Sequence, residues 1–137
     1  VGRDDGGKSG EFSPIFYKTE KFKLLNSGTF WLSPDCTTPN FGWDAACIRV
    51  CTWGKFRLRG TGKVLWLFNT HFDHVGVVAR AQSAKLILAK INELCGETSN
   101  VILTGDFNSD FPKETTFKKA RVRYPSDHFP VFTVIEL

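Results

Sequence analysis

The chain has no methionine and begins at Val1, so residue 1 is not expected to be a translated start. The expectation is a chain that lies inside a longer parent or follows a cleavage, and no basic-then-apolar leader stands at its beginning. Long apolar runs are missing too. The longest, Val64–Phe68, falls far short of the roughly 20 residues that cross a bilayer, so no membrane span is expected. Cysteine is sparse and unevenly placed at Cys36, Cys47, Cys51 and Cys95, without a Cys-x-x-Cys or any other zinc-ligand pairing. These are expected to be buried thiols, with Cys47 and Cys51 on one side of a strand. The sequence also lacks a serine nucleophile elbow, a phosphate-cradling glycine loop and a His-Glu-x-x-His helix, which removes three common catalytic signatures.

What remains is ordinary globular material. The 137 residues set a prior of one domain. A share of 42% hydrophobic and 23% charged residues fits neither a disordered nor a coiled-coil chain. Thirteen Phe, four Trp and two Tyr supply a packed core. The net charge of +4 suits phosphate-bearing partners without identifying any. Lys55, Arg57, Arg59 and Lys63 form one basic cluster, and Lys113, Lys118, Lys119, Arg121 and Arg123 form another. Both read as solvated loops or as a nucleic-acid patch.

Patterning predicts an α/β chain. The glycine-rich start, VGRDDGGKSG, reads as a loop. Glu11–Tyr17 and Lys21–Leu25 alternate like the two strands of a hairpin, and Thr29–Leu32 is a short extended piece. The segment from Ser33 to Trp43 is a loop, and Ala45–Arg59 is strand-like but broken at Gly54. Val64–Thr70 reads as a strand buried on both faces. From Val78 to Cys95 the apolar period becomes helical, and Gly96 follows as a C-cap. Val101–Thr104 is another buried strand, which completes a strand–helix–strand unit, and Phe129–Leu137 is a terminal strand.

Three polar clusters sit at strand ends. Asp106 and Asn108 follow Val101–Thr104 and offer hard oxygen atoms that suit Mg²⁺ or Mn²⁺; the same residues suit a turn in which they bond their own backbone. Asp127 and His128 precede the terminal strand and can pair a carboxylate with an imidazole, or form a capped turn. His71, Asp73 and His74 end the most buried strand, with His71 and Asp73 on one face by alternation. Each cluster alone is a weak signal. Three such sets at three strand ends are hard to explain as turns.

In this order, NTHFDH, an amphipathic helix, ILTGDFN and PSDHFPV closely resemble the endonuclease/exonuclease/phosphatase superfamily. GRDDG, GEFSPIFY, SGTFWLS and GWDAACIRVCTW resemble its bacterial-type members. The resemblance implies a four-layer α/β sandwich, two face-to-face sheets flanked by helices. It also implies Mg²⁺- or Mn²⁺-dependent hydrolysis of phosphoesters by a nuclease or a phosphatase. Asp106 would bind or orient the attacking water, and Asn108 would hold the phosphate or the metal's water shell. Asp127 would be a metal ligand or fix its neighbour, His128 would contact the scissile phosphate, and His71 would stabilise phosphate charge or act as an acid. Arg49 and Trp43 are candidates for phosphate contact and substrate stacking, or for core packing, and Asp73 and His74 would support His71.

The expected substrate is a nucleic acid, a nucleotide or a phosphorylated small molecule or lipid, handled by a monomer. The expected domain is a single one over 1–137, without the superfamily's N-terminal strands and without a segment near 110–123. Its principal metal-ligating Glu and its first-strand Asn have no counterpart, and Glu11 and Glu20 stand in other contexts. The alternative is a catalytically silent phosphate- or protein-binding domain of the same fold.

Overall fold

The computed structural model describes residues 1–96 and 100–108. Four strands and one helix follow in the order β1 (Phe22–Trp31), β2 (Val50–Leu58), β3 (Val64–His71), α1 (Val77–Cys95) and β4 (Asn100–Asp106). The sheet order is β1-β2-β3-β4; the first three strands are antiparallel, and β4 joins β3 in parallel after the α1 crossover. The structure is therefore α/β with a mixed sheet.

Period two on β3 explains the core. Trp66, Phe68 and Phe72 alternate onto the helix side and cluster with Phe30, Leu32, Cys51 and Ile87. Leu65 points the other way and is buried as well. On α1, Ala79, Ser83 and Ile87 are buried at four-residue spacing, and Leu86, Ile91 and Leu94 pack beside them. Gly96 ends the helix with φ 70°, its N–H donating to the Asn92 carbonyl. The helix start has no cap of its own at Gly76. The Asp44 carboxylate, from a distant loop, accepts the N–H groups of Ala79 (2.6 Å) and Val78 (3.2 Å) instead.

Several sequence expectations change. Glu11–Tyr17 forms no ladder, and the antiparallel partner of β1 is β2, so no hairpin joins 11–17 to 21–25. Pro14 has no N–H to give a ladder; its carbonyl instead accepts from Asn69 Nδ2 at 2.9 Å. Lys21–Leu25 and Thr29–Leu32 merge into one strand, with a register shift between Leu24 and Asn26. Gly54 does not break β2. It pairs with Ser27 and Leu67, where a Cβ would meet the Phe56 ring at 2.6 Å.

Residues 45–49 precede β2, so Cys47 and Cys51 do not share a strand face. Cys51 is buried, whereas Cys36, Cys47 and Cys95 are half-buried, and none of the four is in a disulfide among the described residues. Lys55 lies over the Trp66 ring, 4.9 Å from its centroid, while Arg57, Arg59 and Lys63 are exposed at the sheet end away from His71. The expected terminal strand Phe129–Leu137, the second basic cluster, Asp127 and His128 lie outside the described residues. Among the described residues, no helix is long and apolar enough to cross a membrane.

Candidate functional site

The parallel pairing of β3 with β4 ends on the register pair His71↔Asp106, so two distant chain segments deliver an imidazole and a carboxylate side by side. His71 Nε2 lies 3.5 Å from Asp106 Oδ2. Past the pair, the Phe72 N–H donates to the Asp106 carbonyl and locks the ends together. Asp106 Oδ1 accepts the Asn108 N–H at 3.0 Å, and Asn108 Nδ2 donates to the Phe72 carbonyl at 2.8 Å. The turn reading of this pair is seen directly: one Asp106 oxygen makes the local turn, and the other faces the histidine. Asn108 adopts φ 46°, a left-handed conformation that asparagine tolerates better than most residues.

Nothing in the sequence marks Glu11 or Arg3 as site residues, yet both are there. His71 Nδ1 lies 2.9 Å from Glu11 Oε1. The other Glu11 oxygen meets Arg3 Nη1 at 2.6 Å and Arg49 Nη1 at 3.4 Å. The Asp5 carboxylate folds the loop that places them by accepting the N–H groups of Gly7, Lys8 and Ser9, and the Arg3 N–H donates to the Glu11 carbonyl. Trp31 Nε1 anchors Arg3 through its carbonyl at 2.7 Å.

Burial raises the pKa of the Glu11 carboxyl. The His71 hydrogen bond and the charges of His71, Arg3 and Arg49 outweigh that and hold it below its ordinary value. Arg3, Glu11, Ser13, Arg49, Val50 and His71 line a small cleft. Arg3 Nε and Arg49 Nε are buried donors without a hydrogen-bond partner. The two guanidiniums share Glu11, and each also has a carboxylate of its own, Asp4 at 3.4 Å from Arg3 Nε and Asp73 at 3.6 Å from Arg49 Nε.

Asp73 is 2% exposed and organises the neighbouring loops. Its Oδ1 accepts the Val75 and Gly76 N–H groups, and its Oδ2 accepts Cys47 N–H with Arg49 Nε at 3.6 Å. Burial would raise its pKa, but hydrogen bonds from the backbone of Gly76, Ala46, Val75 and Cys47 drive it far below the ordinary value. Arg49 Nη2 lies 3.2 Å from His74 Nδ1. Cys47, Asp73 and His74 bring ligand atoms within 4.8 Å of one another. With the Asp73 oxygens holding backbone N–H groups and a guanidinium alongside, that trio forms a structural knot around Arg49 rather than a seat for a hard cation.

The structure thus brings together His71, Asp106, Asn108 and Arg49, and reaches Asp73 through Arg49. Trp43 is separate from them; it stands exposed on the loop whose Asp44 caps α1.

A carboxylate–imidazole–carboxylate row thus stands beside two guanidiniums at the strand ends of the α/β sheet. No protein-family model matches the chain. An uncharacterized protein of Acanthamoeba polyphaga mimivirus is 34% identical over 99 residues, covering 70% of this chain and 37% of that one. The endonuclease/exonuclease/phosphatase of Bacteroides vulgatus is 51% identical with a TM-score of 0.77, covering 80% of this chain and 42% of that one. A mannosyl-6-phosphatase of Bacteroides thetaiotaomicron is 49% identical with a TM-score of 0.78, covering 81% and 42%. The human Nocturnin catalytic domain, at 21% identity and a TM-score of 0.54 over 66% of this chain and 32% of that one, shares the fold. The chain belongs to the endonuclease/exonuclease/phosphatase family and spans 42% of the length of these bacterial solved relatives.

Proposed function

We propose that this protein hydrolyses phosphoesters with a divalent metal ion, water attacking phosphorus in line with the leaving oxygen. The observation that carries the reading is His71, held between Glu11 and Asp106 with Arg3 and Arg49 alongside. Glu11 fixes the ring through Nδ1 at 2.9 Å, which leaves Nε2 on the side of Asp106. His71 then protonates the leaving oxygen. Arg49 and Arg3 neutralise the phosphoryl oxygens, Asp106 orients the attacking water, and Asp73 acts by holding Arg49 in place.

Asp106 and Asn108 fit Mg²⁺ or Mn²⁺. Asn108 spends its Nδ2 on Phe72, which leaves its side-chain oxygen as the coordinating atom next to the Asp106 carboxylate. Asp127 is proposed as a further ligand and His128 as a phosphate contact. When bound, such an ion supplies Lewis-acid charge at the phosphate and a more acidic water.

The sheet face away from α1 carries Leu24, Phe56, Leu65 and Leu67, and no helix packs on it among the described residues. A second sheet laid on that face gives the four-layer sandwich of one domain. The mannosyl-6-phosphatase relative supports a phosphorylated sugar over a nucleic acid as substrate.

The test is phosphate release, with and without Mg²⁺ or Mn²⁺, from mannose 6-phosphate and an inositol phosphate, and cleavage of a nucleotide and a nucleic acid. Hydrolysis of at least one, only with the ion, is expected. Hydrolysis of none with any divalent ion overturns the reading, and phosphate binding without turnover would instead favour the silent domain.

A further inference from the structure

Phe41 and Trp43 are 59% and 38% exposed, and neither is in any ring pair among the described residues. Their exposure is built in. Gly42 between them is buried, and a Cβ there would lie 2.0 Å from the Leu32 carbonyl oxygen, so the backbone is clamped with its two aromatic neighbours outside. Trp43 adopts φ 52°, a left-handed conformation costly for a bulky residue. Five hydrogen bonds hold the loop there. Asn40 Nδ2 donates to the Asp35 and Thr38 carbonyls, the Ala45 N–H donates to the Gly42 carbonyl, and Asp44 grips the N-terminus of α1. Strain kept by surrounding structure at an exposed aromatic is a mark of ligand contact.

The loop also leads along the chain to Arg49. Asp44 holds the start of α1; a few residues earlier, Asp73 holds Cys47 N–H and lies beside Arg49, which reaches Glu11. Val75, Val77 and Val78 are exposed as well, and the Val78 N–H donates to Asp44 of the same loop.

We propose that Phe41 and Trp43 form an aromatic platform for the ring of the substrate's leaving group, and so select ring-bearing phosphates over ringless ones. The shared chemistry is a flat or C–H-lined ring joined to the phosphate, supplied by a pyranose or by a nucleoside. This rests on the phosphoesterase reading for its anchor at Arg49.

The experiment uses Trp43→Gly, Trp43→Phe and Phe41→Ser with mannose 6-phosphate, adenosine 5′-monophosphate and glycerol 3-phosphate, followed by kinetics and by calorimetric titration. Glycine accepts φ 52° without strain, so Trp43→Gly removes the ring and keeps the loop. The expected result is a rise of about tenfold in KM and Kd for the preferred ring-bearing phosphate, largely restored in Trp43→Phe. Values of kcat, and the constants for glycerol 3-phosphate, should stay within about twofold, with no loss of Tm. Which of the two ring compounds responds distinguishes the pyranose from the nucleoside. Parallel changes for ring-bearing and ringless phosphates, or no change for any, overturn the platform. If nothing is hydrolysed, the phosphoesterase reading fails separately. The platform then stands or falls on whether calorimetry shows a ring preference lost in Trp43→Gly.

Discussion

Glu11 Oε1 and His71 Nδ1 lie 2.9 Å apart although 60 residues separate them in the chain. One carboxylate oxygen thus fixes the imidazole while the other meets two guanidiniums. The geometry makes Glu11 a positioning residue for His71. Glu11→Gln is expected to lower kcat about a hundredfold with a small change in KM, because the ring loses the carboxylate that fixes its orientation.

The same pair has a pH signature. The Glu11 carboxyl lies below its ordinary value of 4.5 in the folded protein, so the native state binds fewer protons than the unfolded chain. Its stabilising contribution is present above that ordinary value and is lost as pH falls through the lowered native one. Thermal melts from neutral pH downward should therefore fall more steeply for the wild type than for Glu11→Gln below pH 4.5. Parallel curves would contradict the assignment.

Asp73→Asn should be costly without touching substrate. It leaves Arg49 buried beside a neutral amide and replaces acceptors of the Cys47, Val75 and Gly76 N–H groups. A loss of about 3 kcal/mol in unfolding free energy is expected from chemical denaturation. A change below about 0.5 kcal/mol would remove Asp73 from the organising role.

Cys51 is fully buried, and burial pushes its thiol up to about 12. Native protein treated with iodoacetamide at pH 8 should therefore carry label at Cys36 and Cys47 well before Cys51, read by peptide mass. Early labelling at Cys51 would mean that the core opens there.

The approach of β4 to β3 also depends on a missing side chain. Gly105 has φ 150°, and a Cβ there would lie 2.1 Å from the Thr70 carbonyl oxygen, one register pair before His71↔Asp106. Gly105→Ala is expected to cost about 2 kcal/mol or more and to lower activity by displacing Asp106. Unchanged stability and rate would show that the strand end can shift freely.

Much of this was legible in the chain because periodicity records burial. β3, α1 and β4 follow from Val64–Phe68, from the helical spacing of Ala81, Ala84, Ile87, Leu88, Ile91 and Leu94, and from Val101–Thr104, although the face of α1 that is buried is Ala79, Ser83 and Ile87 while Ala81, Ala84 and Leu88 are exposed. The site residues at their ends, His71, Asp106 and Asn108, follow from the same reading. The 11–17 segment misled because its alternating apolar residues look like a strand, whereas Pro14 and the pairing of β1 with β2 deny it a ladder. Glu11 and Arg3 were illegible because their roles come from tertiary contact across the sheet, which no local spacing encodes. The remote cap from Asp44 onto α1 was hidden for the same reason.

The most direct test of the central claim is the dependence of the His71→Ala defect on the leaving group. His71 as the acid predicts a loss of about 10² to 10⁴ in kcat/KM for an alkyl phosphate, whose leaving oxygen needs a proton. It predicts a far smaller loss for p-nitrophenyl phosphate, whose leaving group departs as an anion. Equal losses on both substrates would contradict proton donation by His71.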